Sequence, residues 1–226
     1  MKNFTLMILC AGFGSRMLNL TRNKPKPLLK YKNKILLKNT IDFFTNIGCD
    51  EILVNTHYLH NKIKKYLDKN FKNFPIKIIY EKTILGTGGG IKNIFNHTKR
   101  KKICIVNSDI FWTKENKLDV KYFLSNYQNI SHCKMLLSKD INFLGLKKEK
   151  GDFNLKKNVV TNWKSENEKL YYSGLQIVSK SIFNNRKKIF PMNDIWTKLI
   201  KKNQIKGYVV PSKIRHIGDK KSYFEN

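Results

Sequence analysis

An α/β fold on a doubly wound, mostly parallel sheet, with a β-rich lobe toward the end of the chain, is the architecture this sequence predicts. Three observations carry it. Apolar runs suited to strands buried on both faces recur through the first half. Segments of helical periodicity separate them, and repeated βαβ units put helices on both faces of a parallel sheet. From about Ser131 the pattern shifts to short strand-like runs with fewer helices.

The elements follow in order. Residues 4–10 form an apolar run and read as a buried strand. Ile35, Leu36, Ile41, Phe44 and Ile47 recur at helical spacing, and Gly48 is placed to cap that helix. Residues 51–54 read as a second strand, and 61–71 as a helix with Ile63 and Leu67 inward. A third strand is expected at 76–80, a third helix at 89–97 and a fourth strand at 102–106. Beyond Ser131, strand-like runs fall at 134–137, 170–178 and 205–210. No linker or repeat separates the halves, so residues 1–226 are expected to form one domain with a 1–130 half and a 131–226 half.

Composition bounds the function. The 226 residues carry 41% hydrophobic side chains, enough for a sizeable core. The formal net charge of +29 points toward anionic partners. The basic residues are dispersed, however, and the densest run, Lys99-Arg100-Lys101-Lys102, is short. Abundant Lys, Asn and Ile together also fit a base-biased genome. Nucleic-acid binding would call for basic and aromatic residues interleaved on one face, which is not the pattern here. Cys10, Cys49, Cys104 and Cys133 are scattered, which matches neither a disulfide framework nor a zinc site and suggests a reducing, cytoplasmic location. The apolar start is brief and runs into a glycine loop, unlike a signal peptide. No run approaches the length of a membrane span, so no membrane partner is expected.

Ligands of open parallel sheets collect at the carboxyl ends of the strands, and several segments fall there. Leu9-Cys10-Ala11-Gly12-Phe13-Gly14-Ser15-Arg16 follows the first strand. Its glycines let backbone N–H groups approach a phosphate chain, and Arg16 adds a bidentate cation. Met17 breaks the dinucleotide fingerprint, and no Gly-Lys-Ser/Thr follows to make a P-loop. An ordinary tight turn is the competing reading. Lys26 lies between Pro25 and Pro27, which restrict the backbone around it; Lys24 lacks such flanking. Asn107-Ser108-Asp109 follows the fourth strand, where a carboxylate suits either a magnesium ion or a helix N-cap. Leu85-Gly86-Thr87-Gly88-Gly89-Gly90 reads as a loop that opens a helix. His57 and His60 fit a loop pair better than a metal site.

Taken together, these blocks resemble the signature of sugar-1-phosphate nucleotidylyltransferases. Residues 9–16 with Leu20-Thr21 and Pro25-Lys26-Pro27-Leu28-Leu29 look like the first block, and 86–89 and 107–109 like the next two, in the same order and spacing. Residues 55–59, 151–153, 172–174 and Arg215-His216-Ile217-Gly218 look like the short N-acetylmuramate-1-phosphate uridylyltransferase subgroup, which lacks the C-terminal β-helix of longer relatives.

The resemblance implies a Rossmann-like, glycosyltransferase-A-like nucleotidyltransferase fold and a role in peptidoglycan recycling. It implies Ala11 and Gly12 against the base, Gly14, Ser15 and Arg16 on the triphosphate, and Lys26 on the α-phosphate. Asp109 would coordinate Mg2+, with Mn2+ as an alternative. Asn107, Gly151, Asp152, Ser173 and Gly174 would face the sugar phosphate, and Glu81 and Gly86 the base. Several positions depart from the pattern: Cys10 precedes Ala11 where two alanines are usual, Ser15 stands for Thr, Asn19 for Pro, and Ser108 for Gly. His216 takes the place of a second metal-binding Asp, and imidazole is a softer, less natural magnesium ligand, so either His216 reaches the ion directly as a second metal ligand or Asp109 and substrate oxygens bind it with water.

The implied reaction is attack of a sugar-1-phosphate oxygen on the α-phosphorus of a nucleoside triphosphate, with UTP the expected donor and pyrophosphate leaving. The nucleophile is already anionic, so the protein must supply alignment and charge relief rather than a general base. Arg16, Lys26 and a cation on Asp109 suit that task, and the β-rich half is expected to supply the sugar pocket. The rival within the family is mannose-1-phosphate guanylyltransferase. Outside it, the rivals are a catalytically silent sugar-nucleotide sensor and a nucleic-acid-binding protein.

Overall fold

The computed structural model describes residues 3–146 and 148–225. Its elements in chain order are β1 (Phe4–Cys10), β2 (Lys30–Tyr31), β3 (Lys34–Ile35), α1 (Leu36–Thr45), β4 (Cys49–Thr56), α2 (His60–Asn70), β5 (Ile76–Tyr80), α3 (Gly86–Ile94), β6 (Lys102–Asn107) and β7 (Ile110–Phe111). There follow α4 (Asn116–Leu124), β8 (Cys133–Lys139), β9 (Phe143–Leu144), β10 (Phe153–Lys156), β11 (Val159–Asn162), β12 (Leu170–Ser179), α5 (Asn193–Lys201), β13 (Ile205–Val209), β14 (Ile214–His216) and α6 (Lys220–Phe224).

Nine strands form one sheet in the order β10-β11-β13-β8-β12-β6-β1-β4-β5. The β6-β1-β4-β5 block is parallel, as the βαβ pattern requires. β12 enters between β6 and β8 antiparallel to both, and so joins the two halves of the chain into one sheet. Strands β1, β4 and β6 are buried on both faces over most of their length, whereas β5 is the half-exposed edge. Leu6, Ile8, Val54 and Val106 pack with Leu37, Ile41 and Phe44 of α1 and Ile63 and Leu67 of α2. Met7, Leu53 and Ile105 point the other way, against Ile91 and Ile94 of α3 and Ile195 and Leu199 of α5. Each such side chain, fully buried, contributes about 1.5–3 kcal/mol.

The structure moves some boundaries. β4 runs from Cys49 to Thr56, longer at both ends than the apolar residues alone indicate, because parallel pairing with β1 continues from Cys49 to Thr56. The glycine-rich stretch at 86–90 is not a loop but the first turns of α3. Glycine disfavours a helix by about 1 kcal/mol per residue, yet here it permits close packing. A Cβ on Gly88 would strike the Phe190 ring, and one on Gly89 the Lys188 carbonyl. The helix start is tied to that segment by Gly89 N–H donating to Phe190 O at 3.1 Å.

A second, three-stranded sheet, β7-β14-β9, brings the chain end beside β6. Ile217 N–H donates to the Asp109 carbonyl at 2.7 Å. An Asp219–Ser222 capping box then starts α6. Tyr223 donates from its hydroxyl to Lys30 O at 2.7 Å, which ties α6 to the β2–β3 hairpin.

Candidate active site

The carboxyl ends of β1, β4, β5 and β6 open onto a cavity of about 390 Å³. The turn after β1 forms its floor. Gly14 there has φ +69°, and a Cβ would sit 3.0 Å from Thr21 Cγ2 and 3.2 Å from Lys26 Cβ. Thr21 fixes the turn by donating from its hydroxyl to Gly14 O at 3.0 Å. Ala11, Gly12, Gly14, Ser15 and Arg16 all line this cavity.

The two lysines of the proline-rich segment part company. Lys24 is exposed, whereas Lys26 is buried at the start of a 3-10 turn, Lys26–Leu28. The Lys26 ammonium lies 2.7 Å from Asp109 Oδ2 and donates to Gly218 O at 3.1 Å. His216 Nε2 lies 3.5 Å from the same Oδ2. Burial by itself would raise the Asp109 pKa. The Lys26 ammonium and His216 outweigh it and hold the carboxyl well below the usual carboxylate range. Asp109 Oδ1 is buried and has no hydrogen-bond partner among the described residues.

At the other end of the cavity lies Glu81, buried and held by two donors. Asn55 Nδ2 donates to Oε1 at 2.8 Å and Leu85 N–H to Oε2 at 3.3 Å. Asn55 in turn accepts from Cys10 N–H at 3.0 Å. The cavity therefore has a cationic end at Arg16 and Lys26 and a carboxylate end at Glu81 beside Gly86. The first end suits an anionic group, and the second an uncharged group that donates hydrogen bonds.

A second cavity, of about 410 Å³, adjoins the first, and Arg16 and Asn107 line both. The second half of the chain supplies most of its wall, including Asp152, Gly174 and His216. Its aromatic side is built from Tyr172 and Trp196, whose rings lie 5.0 Å apart, with the Phe153 ring edge-on to Trp196 at 5.7 Å. Trp196 is oriented by donating from Nε1 to Gln176 Oε1 at 3.1 Å. The Asp152 carboxylate pairs with Lys148 and accepts from Tyr172 N–H at 3.1 Å.

Two expected residues lie elsewhere. Ser173 and Gly151 do not line either cavity. The Ser173 hydroxyl is buried in the sheet and donates to Leu136 O at 2.8 Å, while Gly151 packs under the Trp163 ring. His57 and His60 make local contacts, His57 Nδ1 with Glu81 O at 2.7 Å and His60 Nδ1 with the Thr56 hydroxyl at 2.8 Å. Asn55, Thr87, Gly218, Tyr172 and Trp196 line the cavities without having been singled out individually. Asn55 had a signal, as a polar residue closing a buried apolar run. Gly218 and Trp196 are brought in by contacts distant in sequence. Among the described residues no group of three His, Cys, Asp or Glu side chains could hold a metal ion, and no helix is long and apolar enough to cross a membrane.

The chain is 31% identical over 103 residues to the D-glycero-alpha-D-manno-heptose 1-phosphate guanylyltransferase of Aneurinibacillus thermoaerophilus, a match covering 46% of this chain and 45% of that one. In that alignment the chain spans under half the relative's length. It is 25% identical over 222 residues to the N-acetylmuramate alpha-1-phosphate uridylyltransferase of Caulobacter vibrioides, covering 94% of this chain and 91% of the relative. The fold superposes on the crystal structure of HddC from Yersinia pseudotuberculosis with a TM-score of 0.77, at 22% identity, covering 98% and 96% of the two chains. The nucleotidyl transferase family model matches residues 5–139. This stretch holds the glycine turn, Lys26, Glu81 and Asp109, and the chain belongs to the nucleotidyl transferase family.

Proposed function

We propose that the chain transfers a nucleotidyl group from a nucleoside triphosphate to a sugar 1-phosphate, giving a nucleoside diphosphate sugar and pyrophosphate. One observation carries the reading: two cavities meet at Arg16 and Asn107, with the Lys26–Asp109 pair on the wall of the first. The first takes the triphosphate, with the base toward Ala11, Gly12, Glu81 and Gly86 and the phosphates toward Gly14, Ser15, Arg16 and Lys26. The second takes the sugar phosphate, with Asn107, Asp152, Gly174 and the Trp196 wall around it. In this arrangement the 1–130 half supplies most of the nucleotide site and the 131–226 half most of the sugar site.

Transfer in line at the α-phosphorus needs alignment of two anions and relief of their repulsion. Arg16 and Lys26 supply fixed positive charge, and the partly enclosed site strengthens their effect. No proton need be taken from the attacking phosphate oxygen, so the site requires no general base. A divalent cation would be held at Asp109, whose ionised carboxylate has one oxygen with no hydrogen-bond partner among the described residues. Magnesium commonly keeps several waters and needs few protein ligands, and Mn2+ tolerates the same donors. Bound there, it would neutralise charge on the phosphates.

For the substrates we assign UTP and N-acetylmuramate 1-phosphate first, because the relative with those substrates in its name aligns with 94% of this chain. GTP with a heptose or mannose 1-phosphate is the second reading, favoured by the 31% and 33% identities to guanylyltransferases over shorter stretches. A matrix of the four nucleoside triphosphates against a panel of sugar 1-phosphates, read by pyrophosphate release, tests both. Turnover with UTP and N-acetylmuramate 1-phosphate above every other pair is the expected result. Faster turnover with GTP would replace the first assignment by the second. Nucleotide binding without release from any pair would make the chain a sensor instead.

A further inference from the structure

The two oxygens of Asp109 are treated differently by the chain. Oδ2 has the Lys26 ammonium at 2.7 Å and His216 Nε2 at 3.5 Å. Oδ1 is buried and receives nothing from the protein among the described residues. Leaving a buried carboxylate oxygen this way is costly, so the asymmetry calls for a reason.

His216 sits in a slot shaped for it. It is 6% exposed and lies at the end of β14, which pairs antiparallel with β7 so that His216 stands opposite Ile110, next to Asp109. The Phe143 ring packs 5.7 Å from the imidazole. Gly218 closes another side, where any Cβ would fall on the ring. The same strand end binds the Asp109 backbone through Ile217 N–H, at 2.7 Å. Backbone and side chain of Asp109 are thus gripped by one segment.

We infer that His216 is a positioning residue for Asp109, its wedged imidazole sharing Oδ2 with Lys26 and so fixing the carboxylate that would hold a single divalent cation. The inference rests on the proposed cation at Asp109 and assigns His216 to orienting the ligand rather than being one. Partners that orient metal ligands typically contribute 10–100-fold to metal affinity.

Mn2+ titration of the purified, nucleotide-free chain, followed by electron paramagnetic resonance, tests it. Wild type is expected to bind one Mn2+ per chain, with a spin-echo spectrum lacking the 14N coupling of a coordinated imidazole. His216→Ala is expected to weaken Mn2+ binding by about 10–100-fold while the melting temperature shows the chain still folded. His216→Gln, which keeps a side-chain donor, should restore affinity to within about threefold of wild type. Imidazole 14N coupling in wild type would make His216 a ligand and overturn the inference. So would His216→Ala binding Mn2+ like wild type, or His216→Gln failing to rescue. Absence of any protein-bound Mn2+ in wild type would overturn the cation reading along with it, whereas pyrophosphate release judges nucleotidyl transfer separately.

Discussion

Replacing Lys26 by Met removes the ammonium while keeping most of the buried stem. Two losses follow from the geometry. In catalysis, a preorganised charge on the transferring phosphate is lost, worth about 10²–10³ in turnover, or roughly 3–4 kcal/mol. In the folded chain, Asp109 loses the partner 2.7 Å away, and the two side chains are only 10% and 13% exposed. Breaking a buried pair from one side costs about 3–5 kcal/mol, which for a chain of this size lowers the melting temperature by roughly 6–20 °C. The pH dependence has a definite sign. The Asp109 carboxyl is held below its ordinary value, so the pair stabilises wild type above the unfolded carboxyl pKa of about 4 and this contribution fades as pH falls through the folded value. The melting-temperature gap between wild type and Lys26→Met, measured in EDTA, should therefore be full at pH 7 and should narrow below pH of about 4. Steady-state kinetics and calorimetry on one preparation suffice. Turnover within about threefold of wild type would remove Lys26 from the chemistry, and a gap unchanged down to pH of about 3 would refute the assigned ion pair.

Other perturbations separate the parts of the site. Gly14→Ala forces a side chain onto φ +69° and against Thr21 and Lys26, so it should cost about 1–2 kcal/mol and raise the KM for nucleotide more than that for sugar phosphate. Trp196→Leu removes an aromatic wall of the second cavity; a rise of about tenfold in the sugar-phosphate KM with the nucleotide KM unchanged is expected from initial rates. All four cysteines are free and buried, and burial pushes the Cys49 thiol up to about 12 and holds the other three well above the ordinary thiol value. Iodoacetamide at about pH 8 should therefore label the native chain only slowly, and the urea-unfolded chain at four sites, as read by mass spectrometry.

The first half was legible because local chemistry decides it. A strand buried on both faces, such as 4–10, announces itself as an apolar run, and the glycines and Arg16 that follow fall at a strand's carboxyl end. Lys26 could be told from Lys24 by its two prolines, and the structure buries only Lys26. Residues 86–90 misled, since glycine's poor helix propensity is overridden by the close approach of Phe190, about a hundred residues away. The second cavity was legible only in part for the same reason. Trp196 reaches the cavity wall by packing against Tyr172 and Phe153, and Ser173 lies off it with its hydroxyl donating to the neighbouring strand. Gly218 reaches Lys26 across 192 residues, a contact no local pattern encodes.

Direct nucleotidyl transfer between the two cavities is read by 31P NMR of wild type with UTP, N-acetylmuramate 1-phosphate and Mg2+. The α-phosphorus signal of the triphosphate should convert to the paired resonances of a sugar diphosphate while pyrophosphate appears in equal amount, and Asp109→Asn should leave the spectrum unchanged over the same time. Hydrolysis to free nucleotide without a sugar diphosphate, or full conversion by Asp109→Asn, would contradict it.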